Sequence, residues 1–181
     1  VGLMWLSKEP TPLEVFPGVT SHPIALLGAG ESSDAYHMSS PEPHGKGAEG
    51  AIRRALSNAN LTPDEIDYLN LHGTGTPQND AAECEAVYRV FGDKVLVSST
   101  KPLTGHTLGA AGITDALLAI LTLCSPVTLP AQLRDSTKID PQLATVNWVK
   151  KATRVAPKRV MSNNFAFGGN NTSLIFGSIQ D

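Results

Sequence analysis

Cysteine is scarce: the 181 residues hold two, Cys84 and Cys124, too few for a disulfide framework and lacking the paired spacing of a zinc site. A reducing, cytoplasmic setting is the expectation. Long apolar runs are also missing, since the most apolar stretch, Ala116 to Cys124, is too short to cross a bilayer and reads as a buried helix. Neither sign of charge dominates. The 14 Lys and Arg and 17 Asp and Glu are interspersed and sum to −3, so no footprint for nucleic acid or an anionic membrane stands out. The five histidines contain no i, i+4 pair and no clustered carboxylate, which argues against a catalytic metal. Gly28-Ala29-Gly30 and Gly45-Lys46-Gly47 do not complete a phosphate-binding pattern. No internal repeat and no low-complexity region is found.

The length suits one domain with a real core. Residues 1–23 form an irregular or truncated lead-in: Val1-Gly2-Leu3-Met4-Trp5-Leu6 resembles a strand already under way, and Pro10, Pro12, Pro17 and Pro23 break the chain before Ile24 to Gly28. The expectation is a fragment of a longer protein. Past an irregular Ser39 to Pro43, Ala48, Ile52, Ala55, Leu56 and Ala59 recur at helical spacing, predicting a helix over about 46–58 that ends near Asn60. Thr62-Pro63-Asp64-Glu65 reads as a capped helical turn before a strand at Ile66 to Leu71. A helix from Asp80 to Phe91, capped near Asn79 or Asp80 and stopped by Gly92, a strand at Val95 to Ser99, a loop at Lys101 to Gly112 and an apolar helix follow. The tail reads as Arg159 to Ser162, a glycine turn at Asn163 to Asn171, and Thr172 to Phe176. The order favours a layered α/β fold with a mixed sheet and helices on its faces.

Two segments, His72-Gly73-Thr74-Gly75-Thr76-Pro77 and Lys101-Pro102-Leu103-Thr104-Gly105-His106-Thr107-Leu108-Gly109-Ala110-Ala111-Gly112, each place a histidine in a turn rich in glycine and threonine beyond a strand end. If those strands are parallel neighbours, both imidazoles lie where ligands bind in such sheets. A lone histidine there would ordinarily cap the turn. Two neutral imidazoles on one carbonyl oxygen would instead stabilise an enolate, the species left when a β-carboxyl thioester loses carbon dioxide.

These two segments and Ser162-Asn163-Asn164-Phe165-Ala166-Phe167-Gly168-Gly169-Asn170-Asn171 resemble the three signature segments in the C-terminal half of β-ketoacyl-acyl-carrier-protein synthases, of the thiolase-like superfamily. Asp34 to Pro41 is similar to the family's carrier-protein and pantetheine entrance. The resemblance runs from about Gly28 to Phe176. It implies that His72 and His106 promote malonyl decarboxylation and stabilise the enolate, with Lys101 supporting them through Asp115, which is one carbon shorter than the glutamate common there. It further implies that Thr74 and Thr76 bond the pantetheine amides. Phe167 is similar to a gating phenylalanine whose N–H joins the oxyanion hole, with Gly168 and Gly169 allowing the backbone close to the ligand. Asn70, Asp115, Ser162 and Asn163 match positions that surround a structural monovalent cation in some members. No cofactor is required, since phosphopantetheine arrives on the carrier protein. Partners implied are acyl-carrier protein, acyl or malonyl thioesters, an N-terminal half, and a second subunit in a homodimer or heterodimer.

The family's chemistry needs a cysteine at a strand-to-helix turn of the N-terminal half, and neither cysteine here matches it. Cys84 is expected mid-helix between Glu83 and Glu85, whose charges would raise its pKa; Cys124 reads as a packing residue. A lone half should expose apolar surface and self-associate. A thiolase is disfavoured, because that relative needs a second cysteine in a glycine loop of this half. A non-catalytic chain-length factor is the alternative, although such a partner would not need His72, His106 and Lys101.

Overall fold

The computed structural model describes Met4, Lys8 and residues 24–124, 127–132 and 139–178. The strand expected at Leu3 to Leu6 and most of the lead-in therefore lie outside the described residues. β1 (Ile24–Ser33) is followed by α1 (Lys46–Ala59), a 3-10 turn at Pro63–Glu65, β2 (Tyr68–Asn70), α2 (Pro77–Phe91) and β3 (Leu96–Ser98). One helical turn, α3 (Lys101–Thr104), and a 3-10 turn at Leu108–Ala110 precede α4 (Ala111–Leu121). Then come β4 (Val127–Leu129), β5 (Asn147–Trp148), β6 (Thr153–Val155), β7 (Arg159–Phe165) and β8 (Asn170–Ser178).

Six strands form one sheet in the order β1-β8-β7-β2-β3-β5, while β4 and β6 make a separate antiparallel pair. β7, β2, β3 and β5 run parallel, and β8 is antiparallel to both β7 and β1. The expected mixed sheet is what forms, and the two strands that lead to the histidine loops are parallel neighbours.

Strand alternation sends successive residues to opposite faces. Leu69, Leu71, Met161 and Ile175 pack with Ile52, Ala55 and Leu56 of α1 and Val87 and Phe91 of α2. Their neighbours Tyr68, Val160 and Phe176 pack on the other face with Ala116 and Ala119 of α4. Helices thus cover both faces. α1 lies very close to β1, because Gly30 has no side chain: a Cβ there would collide with the Ala51 carbonyl and the Ala55 nitrogen. The Gly28-Ala29-Gly30 pair serves this close packing.

Several boundaries differ from the sequence reading. α2 begins at Pro77, not Asp80, because proline at the first helical position loses no hydrogen bond and Thr76 takes the cap position, its carbonyl accepting from Asp80 N–H at 3.0 Å. The segment expected as a loop from Lys101 to Gly112 contains α3, the 3-10 turn and the first residues of α4. β7 runs on through Asn163, Asn164 and Phe165, which pair with Ser173, Thr172 and Asn171 and so belong to the strand instead of the turn. The capped turn at Thr62 is present, with Thr62 N–H donating to Glu65 Oε2 at 2.9 Å.

Candidate active site

Beyond β2 the chain turns sharply at His72 and Gly73, and one buried carboxylate holds that turn. Glu83 of α2 accepts from His72 N–H at 2.8 Å, Gly73 N–H at 2.8 Å and Asn163 Nδ2 at 3.3 Å. Burial raises its pKa to about 7, against the lowering effect of these donors. Gly73 has φ +40, and a Cβ on it would stand 2.5 Å from Ser99 Cβ, so the turn requires glycine. Ser99, the residue after β3, closes the turn by donating its Oγ hydroxyl to the Gly73 carbonyl at 2.9 Å. Sequence reasoning saw Glu83 only as a neighbour of Cys84. Its signal was available: a carboxylate on the same stripe of α2 as Ala86 and Val87, both fully buried.

The second histidine stands on the adjacent strand's loop. The His72 and His106 ring centroids are 5.4 Å apart with planes at 87°, and Phe165 lies 5.8 Å from His72. His72 is buried and His106 exposed. Burial, then the Lys101 charge and His106, push the His72 pKa down to about 3, so its ring is neutral at physiological pH. His106 Nδ1 accepts from Leu108 N–H at 3.1 Å, which leaves the ring proton on Nε2. Leu108 gives that N–H from a left-handed backbone, φ +52, unfavourable for a leucine.

Lys101 and Asp115 form a buried ion pair. Nζ is 2.6 Å from Oδ2, and the two side chains are 4% and 2% exposed. The shorter aspartate therefore reaches. Thr100 Oγ1 donates to Asp115 Oδ1 at 3.2 Å, and Asn70 Nδ2 donates to the Asp115 carbonyl at 3.1 Å. Asn70 belongs to β2 and Asp115 to α4, so the pair is tied to the strand that delivers His72.

The remaining expected residues are more loosely gathered. Thr74 and Thr76 have their hydroxyls 2.9 Å apart near the surface. Phe167 is 80% exposed at the tip of the β7–β8 hairpin; Phe165, not singled out as a site residue, is the phenylalanine beside His72. Gly168 and Gly169 have φ +85 and +81, and Gly168 N–H donates to the Met38 carbonyl at 2.8 Å. The hairpin tip thus rests on the segment read as an entrance. A cavity of about 190 Å³ beside the histidine loops is lined by Gly73, Thr74, Glu83, Lys101, His106 and others.

The four positions matched to a cation do not make a cage for one. Asp115 is engaged by Lys101 and Thr100, and Asn163 Oδ1 accepts from Ser173 Oγ at 2.8 Å. Asn163 also faces Glu83, across the sheet from Asp115. Asn70 Oδ1 is the one buried oxygen of the set with no partner. Among the described residues no group of three or more His, Cys, Asp or Glu side chains converges on a metal position.

Cys84 is buried, and its thiol pKa is pushed up by burial first, then by Glu83 and Asp80. Burial dominates the two carboxylates expected to do this, and Asp80 takes the place of Glu85. Cys124 lies past the end of α4, half-buried, its thiol 3.7 Å from the Ile120 carbonyl. No helix among the described residues is long and apolar enough to cross a membrane.

Known proteins are similar to this chain in sequence and fold. A 3-oxoacyl-acyl-carrier-protein synthase 2 of Vibrio harveyi is 40% identical over 160 residues, covering 86% of this chain and 38% of the relative. A chain of the complex between the ketosynthase ApeO and its chain length factor ApeC, from Xenorhabdus doucetiae, matches at 49% identity with a TM-score of 0.85, over 95% of this chain and 40% of that one. A beta-ketoacyl synthase from Burkholderia phymatum STM815 matches at 38% identity and a TM-score of 0.79, over 86% and 37%. The chain thus spans about two-fifths of these proteins and has their thiolase-like layered fold. The family described as beta-ketoacyl synthase, C-terminal domain, matches residues 24–133, which is more than half the length. This chain, with its paired histidine loops on parallel strands, belongs to the β-ketoacyl synthase C-terminal domain family.

Proposed function

We propose that the chain supplies the histidine half of a condensing enzyme that extends an acyl chain by decarboxylative Claisen condensation, with malonyl-carrier protein as extender. The observation that carries this reading is the pair of imidazoles 5.4 Å apart on loops leaving adjacent parallel strands. The malonyl C–C bond to the carboxylate breaks, carbon dioxide leaves, and the electron pair passes to the thioester as an enolate. N–H groups of His72 and His106 donate to the enolate oxygen; both rings can do so while neutral. The α-carbon then attacks an acyl thioester carried on a cysteine of an N-terminal half, and that thiolate departs. The buried Lys101 charge helps keep His72 neutral. Thr74 and Thr76 would meet the pantetheine amides at the cavity mouth. Phe167, exposed beside two glycines with positive φ, would gate it.

The solved neighbour from Xenorhabdus doucetiae includes a chain length factor, so a non-catalytic partner subunit is the second reading. The intact histidine pair and buried Lys101–Asp115 favour the enzyme. Decarboxylation of malonyl-carrier protein, followed by mass spectrometry with the cysteine half present, separates the two. Under the enzyme reading, His72→Ala and His106→Ala each slow it by about 10²–10³-fold, the scale of losing one oxyanion donor. Decarboxylation that is absent, or indifferent to both substitutions, overturns the enzyme reading.

A further inference from the structure

We infer that the side-chain amide of Asn164 is a positioning group for His72, donating from Nδ2 to His72 Nδ1 and so fixing the ring proton on Nε2. The inference deepens the proposed function, because it supplies the donor which that reading needs at His72. β2 and β7 are parallel with Asn70 opposite Ser162. Two residues further along both chains, and on the same face, His72 comes opposite Asn164.

Among the described residues three buried side-chain polar atoms lack a partner, and two of them are His72 Nδ1 and Asn164 Oδ1. Such orphans are costly and call for an explanation. The Asn164 amide instead points Nδ2 at Ser162 Oγ across 3.5 Å, a long contact. An amide's oxygen and nitrogen have the same shape, and a half-turn about its last bond exchanges them. After that half-turn Oδ1 accepts the Ser162 hydroxyl proton and Nδ2 faces His72 Nδ1. Both orphans are then satisfied. A donor on Nδ1 needs a lone pair there, so the neutral ring carries its proton on Nε2. His106 is already in that state through Leu108 N–H. The two rings then present matched N–H donors from perpendicular planes. The Asn164 side chain lies within hydrogen-bond reach of the His72 ring.

The opposite amide orientation makes a different prediction. Oδ1 facing Nδ1 would place the His72 proton on Nδ1 and leave Nε2 an acceptor, useless to an enolate oxygen. Nitrogen-15 NMR of the histidine-labelled chain at neutral pH distinguishes them. The expected result is a pyridine-type Nδ1 and a pyrrole-type Nε2 for His72. Asn164→Asp, the same shape but able only to accept, should reverse the pattern; Asn164→Ala should lose the single-tautomer signature. Far-ultraviolet circular dichroism confirms that the variants fold, and if Asn164→Asp does not, Asn164→Ser, which keeps a donor, should retain the native pattern. A native ring protonated on Nδ1, or a pattern unchanged in Asn164→Asp and Asn164→Ala, overturns the inference. The readout needs no turnover. A chain that shows the expected tautomer but does not decarboxylate malonyl-carrier protein would sink the proposed function and leave Asn164's role standing.

Discussion

Replacing Lys101 by Met leaves Asp115 as an unpaired carboxylate in a place where its side chain is 2% exposed. Removing one member of a buried pair typically costs about 3–5 kcal/mol, because the surviving charge is left buried without a counter-charge. Domains of this kind are stable by roughly 5–15 kcal/mol, so the loss takes a third or more of the total. Asp115→Asn is the complementary change. It keeps the shape and an acceptor for Thr100, but strands the Lys101 ammonium, with a similar loss expected. The double variant Lys101→Met/Asp115→Asn removes both charges, and its stability should return most of the way to that of the native chain. Urea unfolding of the four proteins completes the cycle, and the coupling energy should be at least about 2 kcal/mol. Losses that simply add would refute the reasoning, since they would mean that the two groups are solvated separately. The same Lys101→Met variant should raise the His72 pKa, because a positive charge that disfavours imidazolium is gone.

Other consequences are equally direct. His72 is depressed from 6.5 to about 3, so the unfolded chain binds more protons than the native one across that window, and stability contributed there is lost as pH falls from 6.5 toward 3. Glu83 is raised from 4.5 to about 7, so its contribution runs the other way and fades as pH rises from 4.5 to 7. The two slopes oppose each other between about pH 4.5 and 6.5; Glu83→Gln removes one, and urea midpoints should then rise with pH across that range. A midpoint that stays flat in Glu83→Gln contradicts the assignment. Gly73→Ala forces a Cβ onto Ser99 at a positive φ and should cost about 1–3 kcal/mol in the same assay, as strained backbone does, while displacing His72. Cys84 should resist alkylation at pH 8 in the native chain and react at the rate of unfolding as urea is added.

The fold was legible wherever a local rule was strong. Helical spacing from Ala48 to Ala59 and the Thr62-Pro63-Asp64-Glu65 cap appear within a residue or so of where their patterns lie. Parallel pairing of the two histidine strands was only a condition in the sequence reading, and the structure meets it. What escaped was set by partners distant in sequence. Asn163, Asn164 and Phe165 look like the start of a glycine turn, yet Ser173, Thr172 and Asn171 extend the strand through them. Glu83 stood out in the sequence only as a charge beside Cys84, whereas in the fold it accepts from both N–H groups of the His72–Gly73 turn. Lys101 and Asp115 were paired by a motif, whereas the closeness that makes the pair energetically important comes from α3 and α4 meeting behind β2. Asn164 carried no signal of its own: only the register of β7 against β2 shows which ring it faces.

The measurement that tests the account most directly is difference infrared spectroscopy of a bound malonyl thioester analogue that cannot decarboxylate, labelled with carbon-13 at the thioester carbonyl and presented with the cysteine half in place. Two imidazole donors on one oxygen should lower the carbonyl stretch relative to the analogue in water. The shift should shrink in His106→Ala, shrink in His72→Ala, and vanish when both are replaced. A carbonyl stretch at its solution value in the native protein, or one untouched by either substitution, would contradict the claim that the two histidines act together on that oxygen.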